Sequence, residues 1–383
     1  MGVEMERLKI ALVGCGGIAE SHLNGYKDLH DRGLNVFDLK AVCDISKERA
    51  ETKAKKIEVF QGYRPKVYTD LEDVLKNESL EAVDICLPHD SHHQVASACI
   101  RNGLHVIIEK PLGITMRAAR VIIENAEKHG RVLAVAENYR RSPENRAIWW
   151  AIKHGLIGKP RMIVWAAVGW SPHHWGWRED KMAAGGSWVF DGGVHLADLD
   201  RYQLGVEASE VYAVNETFEP IREGLKVTVD DMTMAIIRYE NGVYAQWLWT
   251  KVAPAKRMNI RTIYGSLGAV TRDELQIQKE DHVEWYSIET VKRRMMVNLG
   301  SKETERLFPR GATNTFAIEL YDFYESIMEG RPPEVDGWEA YKDMAIPLSF
   351  YESAALSGPV KVKDVEELRV ERYQSEINEK LDL

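Results

Sequence analysis

An apolar run, Leu8-Lys9-Ile10-Ala11-Leu12-Val13, passes without a spacer into Gly14-Cys15-Gly16-Gly17-Ile18-Ala19, and this junction limits the possible folds more than any other feature of the chain. The run is long enough for one buried strand. Gly14 allows a tight turn, Gly16 lets backbone approach a pyrophosphate, and Ala19 lets the next helix pack closely on the strand. Glu20 to Leu29 reads as that helix, and the strand–turn–helix context separates a real G-x-G-x-x-A from a chance match. Phosphates bound here would rest on free N–H groups at the helix start. Gly14, Gly16, Gly17, Ile18 and Ala19 are therefore the candidate phosphate-side residues of a dinucleotide site.

A second strand-like run, Val36 to Cys43, ends in Asp44, the position from which this kind of fold binds the adenosine ribose 2′-hydroxyl. A helix cap for the segment starting near Ser46 is the structural alternative for the same acid. Ile45 follows, and no arginine occurs before Arg49, so a 2′-phosphate has no evident partner and NAD is expected over NADP. A third run, Leu104 to Ile108, ends in Glu109-Lys110-Pro111. Pro111 restricts Lys110 to extended backbone angles. The carboxyl ends of parallel strands are where open α/β sheets bind ligands.

Further along stands Gly185-Gly186-Ser187-Trp188-Val189-Phe190-Asp191-Gly192-Gly193-Val194-His195-Leu196-Ala197-Asp198. On one continuous helix, Asp191, His195 and Asp198 would share a face. Carboxylates beside an imidazole handle protons, because histidine alone has an unperturbed pKa near neutrality. An amphipathic helix with a capped start would give the same pattern without chemistry, and Asp198 in particular reads equally well as a structural acid.

Residues 8–136 alternate short apolar runs with helix-length amphipathic ones, which predicts βαβ units and a parallel sheet with strands at 8–13, 36–43, 66–69, 82–87, 104–108 and 132–136. Beyond Asn138 the pattern changes. A helix from Glu144 to His154 precedes strand-like runs at 160–170, 208–217, 230–239, 243–251, 258–264 and 268–272, and Asn241-Gly242 marks a hairpin. Helices follow at 313–329 and 336–355. The expected fold is an α/β Rossmann domain (1–137), an α+β domain with a large, mostly antiparallel open sheet (138–363), and a charged tail (364–383) that packs loosely or reaches a neighbour. Segments 218–229 and 288–312 read as insertions able to shape a site or an interface.

Length and composition agree. A chain of 383 residues exceeds one typical core, and 45% hydrophobic with 28% charged residues is globular. Fifty Lys and Arg against 59 Asp and Glu give a net charge of −9 with no compensating basic run, which argues against a nucleic-acid partner. No apolar run reaches membrane-spanning length, and Met1 to Arg7 lacks a leader pattern, so no membrane partner and a cytoplasmic location are expected. Cys15, Cys43, Cys86 and Cys99 lack C-x-x-C spacing and read as packing thiols; Cys15, inside the phosphate loop, is by default simply a small residue there, with sensitivity to alkylation as the alternative.

Taken in order, the fingerprint at Gly14 to Ala19, the Glu109-Lys110-Pro111 triplet and the Gly185 to Asp198 motif resemble the glucose–fructose oxidoreductase/inositol dehydrogenase/MocA (Gfo/Idh/MocA) family. Leu87-Pro88-His89-Asp90-Ser91-His92 resembles that family's P-x-x-x-H loop, and Val135 to Arg141 its crossover into the second domain. The resemblance reaches to about residue 360. It implies an NAD(P)-dependent oxidoreductase acting on CH–OH groups, which oxidises a secondary hydroxyl to a ketone with hydride passing to the nicotinamide. It further implies cofactor contacts at Leu87, Pro88, His92, Glu109 and Lys110. By the same analogy His195 is the general base, Lys110 holds the reacting oxygen, and Asp191 binds a neighbouring hydroxyl or orients Lys110. A homodimer or homotetramer joined through the open sheet is implied as well.

Eleven tryptophans are many for this length, and Trp165, Trp170, Trp175 and Trp177 cluster before the Gly185 turn. Indole faces suit the C–H faces of pyranose or cyclitol rings, although core or interface packing explains such residues equally well. Asn138, Tyr139, Trp175, Asp191 and His195 are the candidate substrate contacts for an inositol, a pyranose or an anhydrosugar. Arg140, Arg141 and Arg178 could meet a carboxylate or phosphate, or form ion pairs. His173 and His174 lack metal-ligand spacing, and no metal is expected. An NAD-dependent glycosidase acting by transient oxidation and elimination, and a non-catalytic NAD-binding regulator, are the alternative functions.

Overall fold

The computed structural model describes residues 6–383 and divides the chain into two compact units. The leader reading at Met1 to Met5 lies outside the described residues. One unit holds Met1–Gly113, Ala118–Arg141 and Ser301–Ala340; the other holds Ile114–Arg117, Ser142–Gly300 and Tyr341–Leu383. The first unit's early stretches end at Gly113 and Arg141, where the expected first domain ended at residue 137. Residues 301–340, expected with the second domain, pack with the first unit.

The first unit is built on six parallel strands in the order β3-β2-β1-β4-β5-β6: β1 Leu8–Val13, β2 Phe37–Cys43, β3 Lys66–Tyr68, β4 Ala82–Ile85, β5 His105–Glu109 and β6 Leu133–Ala136. The helices α1 Ile18–Asp31, α2 Lys47–Gln61, α3 Leu71–Asn77, α4 His92–Arg101 and α5 Met116–His129 follow successive strands. Strands β4 and β6 are buried at every position, as expected where helices cover both faces of a parallel sheet. The helix Thr315–Glu329 returns to this sheet because Gly25 of α1 lets its backbone approach: a Cβ at residue 25 would lie 2.9 Å from the Phe316 carbonyl carbon. Ala317, Leu320 and Phe323 then join Ile10, Leu12 and Val42 in one core. The periodicity of the helix predicted its existence but not which sheet would receive it.

The second unit carries nine strands in the order β16-β15-β14-β13-β7-β12-β11-β8-β17. The long ones are β7 Pro160–Val168, β8 Ala208–Glu216, β11 Met232–Tyr239, β12 Tyr244–Thr250 and β13 Met258–Gly265. Short strands β9 Ile221–Arg222 and β10 Leu225–Lys226 form a separate hairpin, and β14 Gly268–Val270, β15 Glu274–Gln278, β16 Val283–Ser287 and β17 Val360–Lys361 extend the edges. Every neighbouring pair in the large sheet is antiparallel except β12 with β7. The expected hairpin joins β11 to β12. Strands β15 and β16 were not anticipated: β15 has one fully buried position and β16 has none, so neither carries the apolar alternation of a strand on a core.

Burial alternates along β8, β11 and β12, so the sheet has one packed face and one open face. On the packed face Trp165 of β7 stacks on Trp188 (centroids 5.6 Å), Trp188 stacks on Trp249, and Trp247 lies edge-on to Phe350. The tail does not pack loosely: Asn378 Oδ1 accepts from Thr115 Oγ1 (2.7 Å), Gln374 Oε1 accepts from the Met116 N–H (2.8 Å), and buried Glu352 accepts from the Tyr373 N–H. Its charges face outward while Gln374, Ile377 and Asn378 point in. Among the described residues no helix is long and apolar enough to cross a membrane.

Candidate functional site

At the carboxyl end of β1 the chain turns at Gly14, whose φ of +91° favours glycine. A side chain there would also meet the Cys86 carbonyl oxygen at 2.2 Å. A Cβ on Gly16 or Gly17 would meet nothing within 4 Å, so the ground above the helix start is open. No side chain caps α1, whose first turn therefore presents backbone N–H groups to an incoming anion. Ala19 is buried against the sheet, and Ile18 is partly buried beside it. These residues fit a pyrophosphate.

Asp44 closes the other side. Its carboxylate accepts from the Cys15 N–H (2.8 Å), from the Ser46 N–H (2.7 Å) and from Arg49 Nη2 (2.7 Å). Burial pushes this acid up, but the Arg49 guanidinium and the two N–H groups outweigh it and hold the carboxyl below its ordinary value. The cap of α2 is Ser46, so Asp44 is not needed there. Cys15 is buried and its thiol is pushed up to about 12, first by burial and then by Asp44, so the alternative of sensitivity to alkylation is withdrawn.

The loops after β4 and β5 are tied by His92. Its ring is sealed from solvent with Nδ1 2.9 Å from the Pro111 carbonyl and Nε2 3.0 Å from the Leu87 carbonyl. The imidazole thus spans the Leu87-Pro88 turn and the Lys110-Pro111 step with both nitrogens on backbone. Burial, then the neighbouring His89, pushes it down to about 4. Glu109 is buried at the end of β5 and accepts the Lys110 N–H on Oε2 (3.1 Å). Asn138 Nδ2 donates to Thr315 Oγ1 (3.3 Å), and the Tyr139 ring is exposed. Arg141 is fully buried near Glu319 and Asp322, and Arg140 is buried near Glu339, which removes both from the candidates for anion binding.

In the second unit the Gly185 motif is two helices, Trp188–Asp191 and Gly193–Leu204, joined at Gly192. Gly185 turns at φ +80°, with the Ile114 carbonyl 2.6 Å from where a Cβ would sit. Ser187 then caps the first helix through the Val189 N–H, while its Oγ donates to buried Asp230 (2.9 Å). Asp191 and His195 are largely buried, and Asp198 is sealed completely.

Arg178 donates from Nε to Asp191 Oδ2 (2.8 Å) and lies over the Trp177 ring at 4.5 Å. Trp175 carries Lys251 Nζ over its ring at 3.6 Å, and Lys251 pairs with buried Glu179, which also holds Arg222 Nη1 at 2.5 Å. Residues 218–229 therefore brace the tryptophan loop through Arg222, while Glu223 takes His173 Nδ1 at 3.0 Å. The second suspected insertion begins with a helix, Ile288–Asn298, tied to the helix Pro143–Lys153 by Lys292 and Glu144 (2.7 Å). Of the four tryptophans, Trp165 belongs to the core stack, and Trp170, Trp175 and Trp177 retain exposed or partly exposed faces.

The sequence reading missed His22, Tyr26 and Asp84, which form a buried polar group beside Glu109. A signal existed: His22 lies on the inward stripe of α1 with Ala19, Leu23 and Tyr26, and Asp84 interrupts an otherwise apolar strand. Among the described residues, His22, Asp84 and Cys86 also bring metal-competent atoms within 4.8 Å of one another.

An open phosphate turn on a parallel sheet, in one chain with Asp191 and His195 buried on two helices joined at Gly192, is what a dinucleotide-dependent oxidoreductase carries. The chain belongs to the Gfo/Idh/MocA family: residues 8–137 match the model for the oxidoreductase family with an NAD-binding Rossmann fold, and residues 146–271 match the GFO/IDH/MocA C-terminal domain. It is 28% identical to a levoglucosan dehydrogenase of Pseudarthrobacter phenanthrenivorans, over 94% of this chain and 100% of that one. It is also 28% identical to a 1,5-anhydro-D-fructose reductase of Ensifer adhaerens, over 78% and 84%. A solved levoglucosan dehydrogenase in complex with NADH and levoglucosan superposes with a TM-score of 0.77 at 26% identity, covering 93% of this chain and 100% of that one.

Proposed function

We propose that this protein is an NAD-dependent dehydrogenase that oxidises one secondary hydroxyl of a cyclic polyol or sugar, of inositol, pyranose or anhydrosugar type, to the ketone. The observation that carries the reading is the burial of both Asp191 and His195, on two helices joined at Gly192, with Asp191 held to the tryptophan loop by Arg178. When bound, NAD supplies the hydride acceptor, held by Gly14, Gly16, Gly17, Ile18 and Ala19 at its phosphates, Asp44 at its ribose, and the Leu87-Pro88, His92 and Glu109-Lys110 loops. His195 removes the hydroxyl proton as general base. The Lys110 ammonium stabilises the developing alkoxide. Asp191, fixed by Arg178, binds an adjacent hydroxyl, and Trp175 offers a ring face, with Asn138 and Tyr139 as further substrate contacts.

NAD rather than NADP follows from Asp44. Its ionised carboxylate repels a 2′-phosphate and neutralises Arg49, the nearby cation that would otherwise attract one. The relatives' names support an anhydrosugar as the first substrate to try. We further propose that the open sheet face joins copies of this chain as a dimer or tetramer.

The test uses Lys110→Met and His195→Asn with NADH binding followed by fluorescence. Both variants are expected to bind NADH and to lose turnover by on the order of 10²-fold or more. Near-normal turnover in either variant would remove that residue from the chemistry.

A further inference from the structure

His22 projects from α1 into a sealed space between two strands. Its Nδ1 lies 2.9 Å from Asp84 Oδ2 and its Nε2 lies 3.0 Å from Glu109 Oε1, with no solvent exposure of the ring. Tyr26 donates its hydroxyl to the same Asp84 oxygen (3.0 Å), and the Phe316 ring packs against the imidazole at 5.3 Å. A neutral imidazole has one N–H and one lone pair, and a lone pair aimed at a carboxylate is repelled. With both acids ionised, only the doubly protonated ring satisfies them, and the ring has no exposure to water that could relieve a mismatch.

The charges around it agree with this state. Asp84 and Cys86 face the ring from β4 and its end, Glu109 faces it from β5, and Tyr26 lies on its own helix. Glu319 approaches from the helix Thr315–Glu329, with Arg141 and Glu137 behind it. Burial pushes His22 down, but Asp84 and then Cys86 outweigh it and hold the ring well above its ordinary range. Burial pushes Glu319 up, against the opposing pull of Arg141 and His22.

We propose that His22 is a positioning residue for the Lys110 turn: as an imidazolium bridging Asp84 and Glu109, it fixes the carboxylate whose second oxygen holds the Lys110 backbone N–H. The inference rests on the role given to Lys110 above. Without the cation, Asp84 and Glu109 would face one another uncompensated in a dry space. The Glu109 carboxylate would then be free to turn, releasing the Lys110 N–H and loosening the base from which the ammonium extends. A displacement of about 1 Å at a reacting group costs on the order of 10²-fold.

Three readouts on the full chain test this. First, ¹⁵N spectra of the wild-type protein labelled at histidine should show both His22 nitrogens protonated from pH 6 to pH 9; a neutral tautomer, or titration near the ordinary histidine value, would overturn the proposal. Second, His22→Gln and His22→Phe should both change the pH dependence of Lys110 modification by an amine-reactive reagent, read by peptide mass spectrometry, with NADH binding retained. Phe keeps the ring shape against Phe316, so a wild-type profile in His22→Phe would mean packing alone and would overturn it. Third, with a substrate in hand, both variants should lose kcat by roughly 10-fold to 10²-fold with little change in KM for NAD; an unchanged kcat would overturn the positioning role. The first two readouts use no substrate, so a failure to find one counts against the proposed function and not against His22.

Discussion

Asp44 shows how much one side chain decides. The same carboxylate holds the Gly14 turn through Cys15, starts the next segment through Ser46 and occupies Arg49. Asp44→Ser is expected to weaken NAD binding by about 10-fold or more, since hydrogen bonds to a charged group are lost, and to free Arg49 for a 2′-phosphate. Titration of the variant with both cofactors checks this; an unchanged preference for NAD would mean that Asp44 does not read the ribose. Cys15, buried and pushed up to about 12, should stay unalkylated by iodoacetamide at pH 8 in the folded protein and react only on unfolding. At this scale the sequence was informative where backbone geometry restricts the residue, as at Gly14 with its φ of +91°. It was silent where a side chain folds back on a distant partner. Nothing local tells that Arg141 turns toward Glu319 or that His22 reaches Asp84, 62 positions on.

The Gly185 turn shows the same division among elements. Its glycines and the capping Ser187 were legible, whereas the break at Gly192 and the acid beneath the turn were not. Asp230 accepts from Ser187 and Thr233, yet burial pushes it up to about 6. The folded state therefore keeps a proton on Asp230 between about pH 4 and pH 6 where the unfolded chain has lost it, so stability from this group falls as pH rises through that window. The loss is complete above about pH 6 and amounts to about 2–3 kcal/mol. Asp230→Asn should flatten this part of the curve when urea midpoints are compared from pH 4 to pH 7; parallel curves for the two proteins would contradict the assignment. The tryptophans divide by element as well. Trp165 lies in a strand with one packed face and became core, while Trp175 and Trp177 lie in a loop braced by Glu179. Composition alone could not separate them.

In the whole molecule, two sheets of different character are carried by one chain that revisits the first after finishing most of the second. Alternating and continuous apolar runs announced both sheets. The return of 301–340 was hidden, because an amphipathic helix carries no address for the surface it covers. On the open face, cross-strand pairing sets Tyr212 beside Ile236 and Val214 beside Met234, all exposed, with Tyr264, Met162 and Tyr244 in the same layer. An apolar surface of this kind is what a subunit contact needs. Ile236→Glu should lower the mass measured by light scattering to that of one chain while leaving NADH binding intact; an unchanged mass would place the contact elsewhere.

Net oxidation of an alcohol is the defining reaction of the proposed function. The direct measurement is the near-ultraviolet absorbance of NADH formed by the purified protein with NAD and a panel of inositols, aldoses, anhydrosugars and glycosides. Steady NADH formation with one ring polyol, lost in His195→Asn, is the predicted result. Release of sugar from a glycoside with no net NADH, or no turnover of any compound by protein that binds NAD, would contradict it.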